Sequence, residues 1–481
     1  MTPDSILQGL NTFLNTFGSI TVIPVVLFII SLCFGIKLKL AFTSSLYAGI
    51  GLTGFTWIIS QYLPIILPAV QNMVLQTGIQ LPVVDIGWQA TALVAYASRV
   101  GMVYLAVGLL FQLFIFITGW TNVFQPSGLW DNYSYMLWGS LVYAATQDLL
   151  LALALMITLN LWATLGYEVL AKRWATYYHY PNCTIVQLHN AEVIPFALLA
   201  NWLLNRLGAG RIRWQPRELY ARLGFFGDPV RLGFLLGLLL GVLGNINRLG
   251  TLQGWGNLAL VTIATTTVIA VFPRIADLFA QAFTPLAEAS RRFAQAKNRA
   301  EIYIGVDDAA AYGESATLIS GIVLIPIMVV IAALVPGNKM LPLVDLIALP
   351  FMVEAMVAFS NGNIFKVIVA MAAWFALGMV SASAVAPLFT QVYQQVTGAQ
   401  LAGGGFVASF SVMSKPFWVG FTLITTHWRW LGVGVLFASY WPLALWFKRN
   451  QARLLALIES EAGQTALEAA AAAQECKSEF G

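Results

Sequence analysis

The chain has 481 residues, of which 59% are hydrophobic, 10% charged and 13% aromatic, with a formal net charge of +4. Its mean hydropathy of +0.77 excludes a soluble globular protein, in which about a quarter of residues are charged. The mild positive balance, with no interleaving of basic and aromatic residues, excludes a nucleic-acid binder and fits cytoplasmic loops enriched in Lys and Arg.

The first apolar stretch, Phe13 to Ile36, is long enough to span and has no basic segment before it, so it reads as a membrane helix and not a signal peptide. Further apolar stretches follow at Leu40 to Val70, Val100 to Ile117, Met136 to Leu165, Val193 to Leu207, Leu232 to Leu243, Leu258 to Phe272, Leu318 to Val335, Leu346 to Phe359, Val367 to Val385 and Phe417 to Phe447. The expected fold is an all-α polytopic membrane protein with about eleven crossings. Several stretches fall short of the ~20 residues a crossing helix needs, and others have room for a kink or two crossings, so re-entrant segments are expected. A permease domain over 1–450 and a polar, partly helical Ala/Glu-rich tail over 451–481 are expected.

Basic residues cluster at Arg206, Arg211, Arg213, Arg217 and Arg222 to Arg231, at Arg291, Arg292, Lys297 and Arg299, and at Lys448, Arg449 and Arg453. The positive-inside rule puts these clusters and the Lys37/Lys39 loop in the cytoplasm, the N-terminus outside and the C-terminus inside. Cys33, Cys183 and Cys476 are scattered without CxxC or Cys/His spacing, so neither a disulfide framework nor a zinc site is expected. No GxSxG, Walker or HExxH motif is present, and no catalytic residue, metal or cofactor is expected.

Two acidic, Gly-containing breaks interrupt the apolar pattern: Asp85-Ile86-Gly87 in the first half and Gly305-Val306-Asp307-Asp308 in the second. Matched breaks of this kind point to inverted structural repeats, with a solute site where they meet.

Four stretches resemble the galactitol-type IIC component of the sugar phosphotransferase system, in the galactitol and ascorbate group. Val83-Val84-Asp85-Ile86-Gly87-Trp88 is similar to the family's Val-Val-Asp-Val-Gly-Trp, and Gly224-Phe225-Phe226-Gly227-Asp228-Pro229-Val230 to its Gly-Pro-Phe-Gly-Glu-Pro-Val. Ile304-Gly305-Val306-Asp307 matches an Ile-Gly-Leu-Asp segment, and Val335-Pro336-Gly337-Asn338, Leu341-Pro342, Asp345-Leu346 and Gly362-Asn363-Ile364-Phe365 follow in the family's order. The segments are collinear from position 83 to 365. The chain departs from the galactitol members where they carry Pro-His-Gly, here Val186-Gln187-Leu188, at a His-like position filled by Tyr143, and where Glu314 replaces a histidine after the matched aspartate.

The resemblance implies a permease subunit of the inner membrane that binds and translocates a sugar or sugar alcohol. Phosphorylation would fall to separate cytoplasmic IIB and IIA phosphocarriers, and the subunit would act as a homodimer. An ion-coupled secondary transporter on the same scaffold, with Asp148, Asp307 or Glu314 as the ion site, is the alternative. A neutral polyol needs carboxylates and amides for its hydroxyls and an aromatic face for its C–H surface. Asp85 and Trp88 offer that pair; equally, Asp85 caps a turn and Trp88 sits at the interface. Asp307 and Glu314, seven residues apart, would share a helical face; the alternative is that Asp307 or Asp308 caps a helix and Glu314 pairs with a loop arginine. Gln147-Asp148 either lines a cavity, pairs inside, or marks a break. Gln187 and His189 lie in a polar cluster with Asn182, Asn190 and Glu192 just before an apolar stretch. The candidate binding residues are therefore Asp85, Trp88, Gln147, Gln187, His189, Asp307 and Glu314. Gly233, Gly237, Gly241 and Gly244 at three- and four-residue spacing read as a helix-packing face.

Overall fold

The computed structural model describes residues 27–76, 78–125, 131–209, 229–296, 301–398 and 405–463, with isolated positions at 21–25 and 212–216. The segment Gly224 to Asp228, the basic residues Arg211, Arg213, Arg217, Arg222, Lys297 and Arg299, and the tail beyond 463 lie outside the described residues.

Two stretches of chain run through the same sequence of elements. The first comprises β1 (Val83–Asp85), α2 (Trp88–Ala97), α3 (Arg99–Ile117), β2 (Val123–Phe124), α4 (Tyr133–Thr146), α5 (Leu149–Tyr177), β3 (Cys183–Ile185), α6 (Leu188–Ala191) and α7 (Val193–Arg206). The second comprises β4 (Tyr303–Val306), α10 (Ala309–Tyr312), α11 (Ser315–Leu334), β5 (Met340–Leu341), a 3-10 turn Asp345–Ala348 leading into α12 (Leu349–Phe359), α13 (Ile364–Thr397), β6 (Phe406–Ala408), α14 (Phe410–Met413) and α15 (Pro416–Glu461). A separate unit of α1 (Leu38–Gln76), α8 (Pro229–Asn245) and α9 (Leu252–Ala296) packs chiefly on itself.

The two repeats are interlocked through their shortest elements. β1 of the first repeat lies between β5 and β6 of the second, and β4 of the second lies between β2 and β3 of the first, every pairing parallel. Non-helical backbone at membrane depth persists only where its polar groups are satisfied within the protein. Here they are: Val83 N–H donates to Lys339 O at 2.9 Å, Phe406 N–H to Pro82 O at 2.7 Å and Ile304 N–H to Asn182 O at 2.8 Å. The acidic break after residue 84 and the one before residue 309 are thus the two exchanged centre strands and the turns that follow them.

Among the described residues six helices are long and apolar enough to cross a membrane, so the expectation of about eleven crossings is not met by this count. Part of the difference is the Phe13 to Ile36 run, most of which lies outside the described residues, and part is apolar runs that fold as shorter helices. Leu346 to Phe359 is largely the 11-residue α12, and Val193 to Leu207 is largely the 14-residue α7. Met136 to Leu165 breaks at Gln147, which is left-handed (φ 56), and at Asp148, whose carboxylate caps α5 by accepting from Leu151 N–H at 3.0 Å. α15 turns sharply at Arg429 (φ 50, ψ −128), and a Cβ on Gly432 would sit 2.5 Å from the Ile424 carbonyl oxygen, so the chain doubles back there. The Asp148 turn and the Arg429 turn meet: Trp430 Nε1 donates to Asp148 Oδ2 at 3.1 Å and Arg429 lies 3.7 Å from the same oxygen.

α15 also runs through the expected boundary at 450/451 as far as Glu461. Glu459 pairs with the buried Arg173 at 2.9 Å, and Glu461 Oε2 accepts from Asn205 Nδ2 at 2.7 Å. The first turns of the tail are therefore tied to the ends of α5 and α7.

Glycines set the packing of the three-helix unit. A Cβ on Gly237 would lie 2.8 Å from Thr262 backbone atoms of α9, and one on Gly244 would lie 2.6 Å from the Ala69 carbonyl oxygen of α1. Small residues are what allow membrane helices to approach this closely. Gly244→Val is expected to lower the thermal midpoint in detergent, because overpacking a close contact costs about 1–3 kcal/mol. An unchanged midpoint would mean α1 and α8 can separate freely.

Candidate functional site

The turns that leave the exchanged strands carry several of the buried polar residues. Asp85 closes β1 and is 0% exposed. Its Oδ1 accepts from Gly87 N–H and Phe410 N–H, both at 3.1 Å, and its Oδ2 from Leu343 N–H at 3.1 Å and Asp345 N–H at 2.6 Å. Gly87, with φ 88, supplies a backbone conformation that L side chains rarely adopt, so the chain can turn directly into α2. Asp345 repeats the device: its Oδ1 accepts from Trp88 N–H at 2.9 Å, and its Oδ2 from Ser409 Oγ at 2.6 Å and from Ser411 N–H and Oγ, both at 2.9 Å. These two carboxylates bind β1, the 3-10 turn and α14 into one knot.

On the other sheet, Gln187 is buried, with Nε2 donating to Val306 O at 3.2 Å and Oε1 accepting from Val186 N–H at 3.1 Å. It thereby fixes α6 against the end of β4. His189, two residues on, sits between Ser134 Oγ (3.1 Å from Nδ1) and Asp308 Oδ2 (3.0 Å from Nε2), and Asn190 Nδ2 donates to the same Asp308 oxygen at 2.9 Å. Asp307 is half-buried and accepts from Ala309 N–H at 2.9 Å.

An aromatic bridge joins the two turns. The Trp88 ring lies 6.3 Å from the Tyr133 ring, and Tyr133 lies 6.2 Å from the His189 ring. Trp88, Tyr133, Ser134, His189, Asn190 and Asp308 therefore form one continuous group contributed by both repeats. An aromatic face beside paired donors and acceptors is what a neutral polyhydroxylated solute requires.

The remaining expected residues are placed elsewhere. Glu314 caps α11, accepting from Thr317 N–H and Oγ1 at 2.9 Å each, and from Tyr177 OH at 3.0 Å. Gln147 is exposed in the α4–α5 turn, its Nε2 on Ala144 O at 3.2 Å, outside the aromatic group. Sequence reasoning picked Asp307 where its neighbour Asp308 makes the contacts with His189, because two adjacent carboxylates cannot be ranked without knowing how the turn is oriented. Tyr133 and Ser134 carried no signal, since they stand in an aromatic-rich stretch like many others in this chain. No three His, Cys, Asp or Glu side chains are grouped to hold a metal ion among the described residues.

A family model described as the PTS system sugar-specific permease component, EIIC-GAT, matches residues 12–403. The chain belongs to this family. The permease is 27% identical to the PTS system galactitol-specific EIIC component of Escherichia coli strain K12 over 409 residues, covering 84% of this chain and 88% of the relative. The galactitol-specific EIIC component of Escherichia coli O157:H7 gives the same figures. A putative permease IIC component of Escherichia coli strain K12 is 26% identical over 383 residues, 79% of this chain and 86% of the relative. The matched range takes in both exchanged centre strands, Trp88, His189 and Asp308. As a sugar-specific phosphotransferase permease with six helices, among the described residues, able to cross a bilayer, the protein is a multi-pass membrane protein.

Proposed function

We propose that this permease binds a sugar alcohol of the galactitol type at the Trp88–Tyr133–His189–Asp308 group, and releases it inward for phosphorylation by a separate IIB protein charged by IIA. The observation that carries the reading is that this polar and aromatic group is assembled from both repeats, with Trp88 and Asp308 at the turns that leave the exchanged strands. Its supports are family membership and the galactitol-specific relatives. His189 and Asn190 donate to Asp308, and a polyol hydroxyl can enter that network as both acceptor and donor. Trp88 offers its ring to the C–H face. Asp307, half-buried beside this group, is a further contact in the proposal. Asp85, Gln187 and Glu314 act as positioning residues that hold the turns.

Two repeats related by inversion, rocking about the exchanged strands, would expose the site alternately to each side. The proposed orientation has the N-terminus outside and the C-terminus in the cytoplasm, and the working form is a homodimer. Proteoliposomes enclosing phosphorylated IIB are expected to accumulate the phosphorylated hexitol from external galactitol. Vesicles lacking phosphotransfer proteins that accumulate unmodified galactitol under a proton or sodium gradient would overturn the coupling.

One observation favours that second, ion-coupled reading. Glu354 on α12 is 0% exposed, and among the described residues its carboxylate oxygens have no partner at ordinary hydrogen-bond distance and angle, the Trp174 side chain being a nearby donor. A carboxyl in that position is a candidate proton carrier. The gradient experiment decides between the two.

A further inference from the structure

Lys415 and Glu192 occupy the same place in the two repeats. β3 ends at Ile185 and β6 at Ala408, as fixed by pairing with Val306 and Asp85. Seven residues beyond each strand end stand Glu192 and Lys415, each immediately preceding a longer helix, α7 and α15. The two junctions dock on one another: Phe417 N–H donates to Glu192 Oε1 at 2.5 Å and Trp418 Nε1 to Leu188 O at 3.0 Å. The repeat thus brings an acid and a base of equivalent position face to face beside the proposed solute site.

Lys415 is 2% exposed. Its ammonium lies in electrostatic reach of Glu192, Asp345 and Asp308. Yet among the described residues it makes no hydrogen bond and no carboxylate oxygen comes within 4.0 Å. A nearly buried ammonium with three donors and no protein acceptor is costly, and buried polar groups are ordinarily satisfied. Two enclosed acceptors on the facing repeat are also unfilled: Glu192 Oε2 and Asn190 Oδ1. Asn190 is the residue whose Nδ2 already holds Asp308. The carboxylates around Lys415 outnumber it, so an anionic solute is disfavoured. A neutral hydroxyl fits, since it accepts from an ammonium through oxygen while donating its proton to a carboxylate or amide oxygen.

We propose that Lys415, with Glu192 and Asn190 opposite, forms a second subsite that grips one hydroxyl of the solute and so helps to determine which polyol is accepted. The assignment rests on the sugar-alcohol reading above. Asp345 is bound to Ser409 and Ser411, and Asp308 to His189 and Asn190, so those carboxylates complete the field around Lys415 without occupying its donors.

The test is calorimetric binding of galactitol and each of its mono-deoxy analogues to the purified full-length chain, for the parent and for Lys415→Met. For the parent, one deoxy position is expected to bind roughly tenfold or more weaker, the usual consequence of losing a hydrogen bond to a charged group. For Lys415→Met, galactitol itself is expected to weaken by a similar factor and removal of that same hydroxyl to cost nothing further. A merely structural lysine would lower the thermal midpoint of the ligand-free protein while the deoxy series kept the parent's ranking, and that result overturns the assignment. Should Lys415→Met fail to fold, Lys415→Arg retains the charge but moves its donors; an altered order of preference across the series supports the subsite and an unaltered one sinks it. A parent that binds no hexitol defeats the sugar-alcohol reading and the subsite together, whereas a binding parent matched by the variant defeats the subsite alone.

Discussion

Asp85→Ala is expected to abolish the folded permease, whether or not solute is present. Four backbone N–H groups converge on this one buried carboxylate, three of them from residues 258, 260 and 325 positions away in the chain. Each buried donor left without an acceptor costs about 1–3 kcal/mol. Even with partial relaxation the total is comparable with the roughly 5–15 kcal/mol that holds a typical domain together. Asp85→Asn should fare little better. Each carboxylate oxygen faces two N–H groups, so either orientation of the amide sets its own N–H₂ against two donors. Size-exclusion profiles and thermal midpoints in detergent check this, with galactitol added to one arm. A well-folded Asp85→Asn protein that has lost only solute binding would move Asp85 from the scaffold into the site.

Asp308→Asn is expected to behave in the opposite way, keeping the folded yield and losing the solute. Asp308 is held by two side chains, His189 and Asn190, and no described hydrogen bond ties its carboxylate to backbone. An asparagine can keep one acceptor toward them while losing the charge that strengthens hydrogen bonds to incoming hydroxyls. Loss of a charge-assisted bond corresponds to about 1.5–3 kcal/mol, or roughly ten- to hundredfold in affinity. His189→Ala should lose affinity over the same range, because it removes the group joining Ser134 to Asp308. Equilibrium binding of galactitol to purified variants of matched thermal midpoint is the measurement. Parental affinity in Asp308→Asn would place the solute elsewhere in the protein.

The contrast between these two aspartates shows where the sequence is informative. Both stand in or beside an acidic, Gly-containing break, and the pattern marks both breaks as special, since ionisable groups at membrane depth need a partner or a cavity. What each carboxylate does depends on which groups the fold aims at it. Asp85 receives N–H groups from the 3-10 turn and α14, and Asp308 receives side chains from α6. Those partners lie more than a hundred residues away, and local spacing carries no trace of them. The same holds for Lys415, which reads as one residue between Ser414 and Pro416 until the repeat sets it against Glu192.

Composition alone determined that this chain lives in a bilayer, because so few charges and so much apolar surface leave no soluble core able to contain it. Hydropathy and the polar breaks also located the strand turns after residue 84 and before residue 309, and the collinear segments from 83 to 365 pointed to the family. Only the tertiary structure decided which apolar runs cross and which stop as half-helices. A short apolar run is equally comfortable against lipid or inside protein; Gln147-Asp148 left a break as one of three readings, which its left-handed backbone decides, and the turn at Arg429 is visible only as a backbone angle. The exchange of centre strands between repeats was likewise decided by the fold. Strands of two to four residues are too short to carry a pairing code, and their register is imposed by the carboxylate knots and helices packed around them.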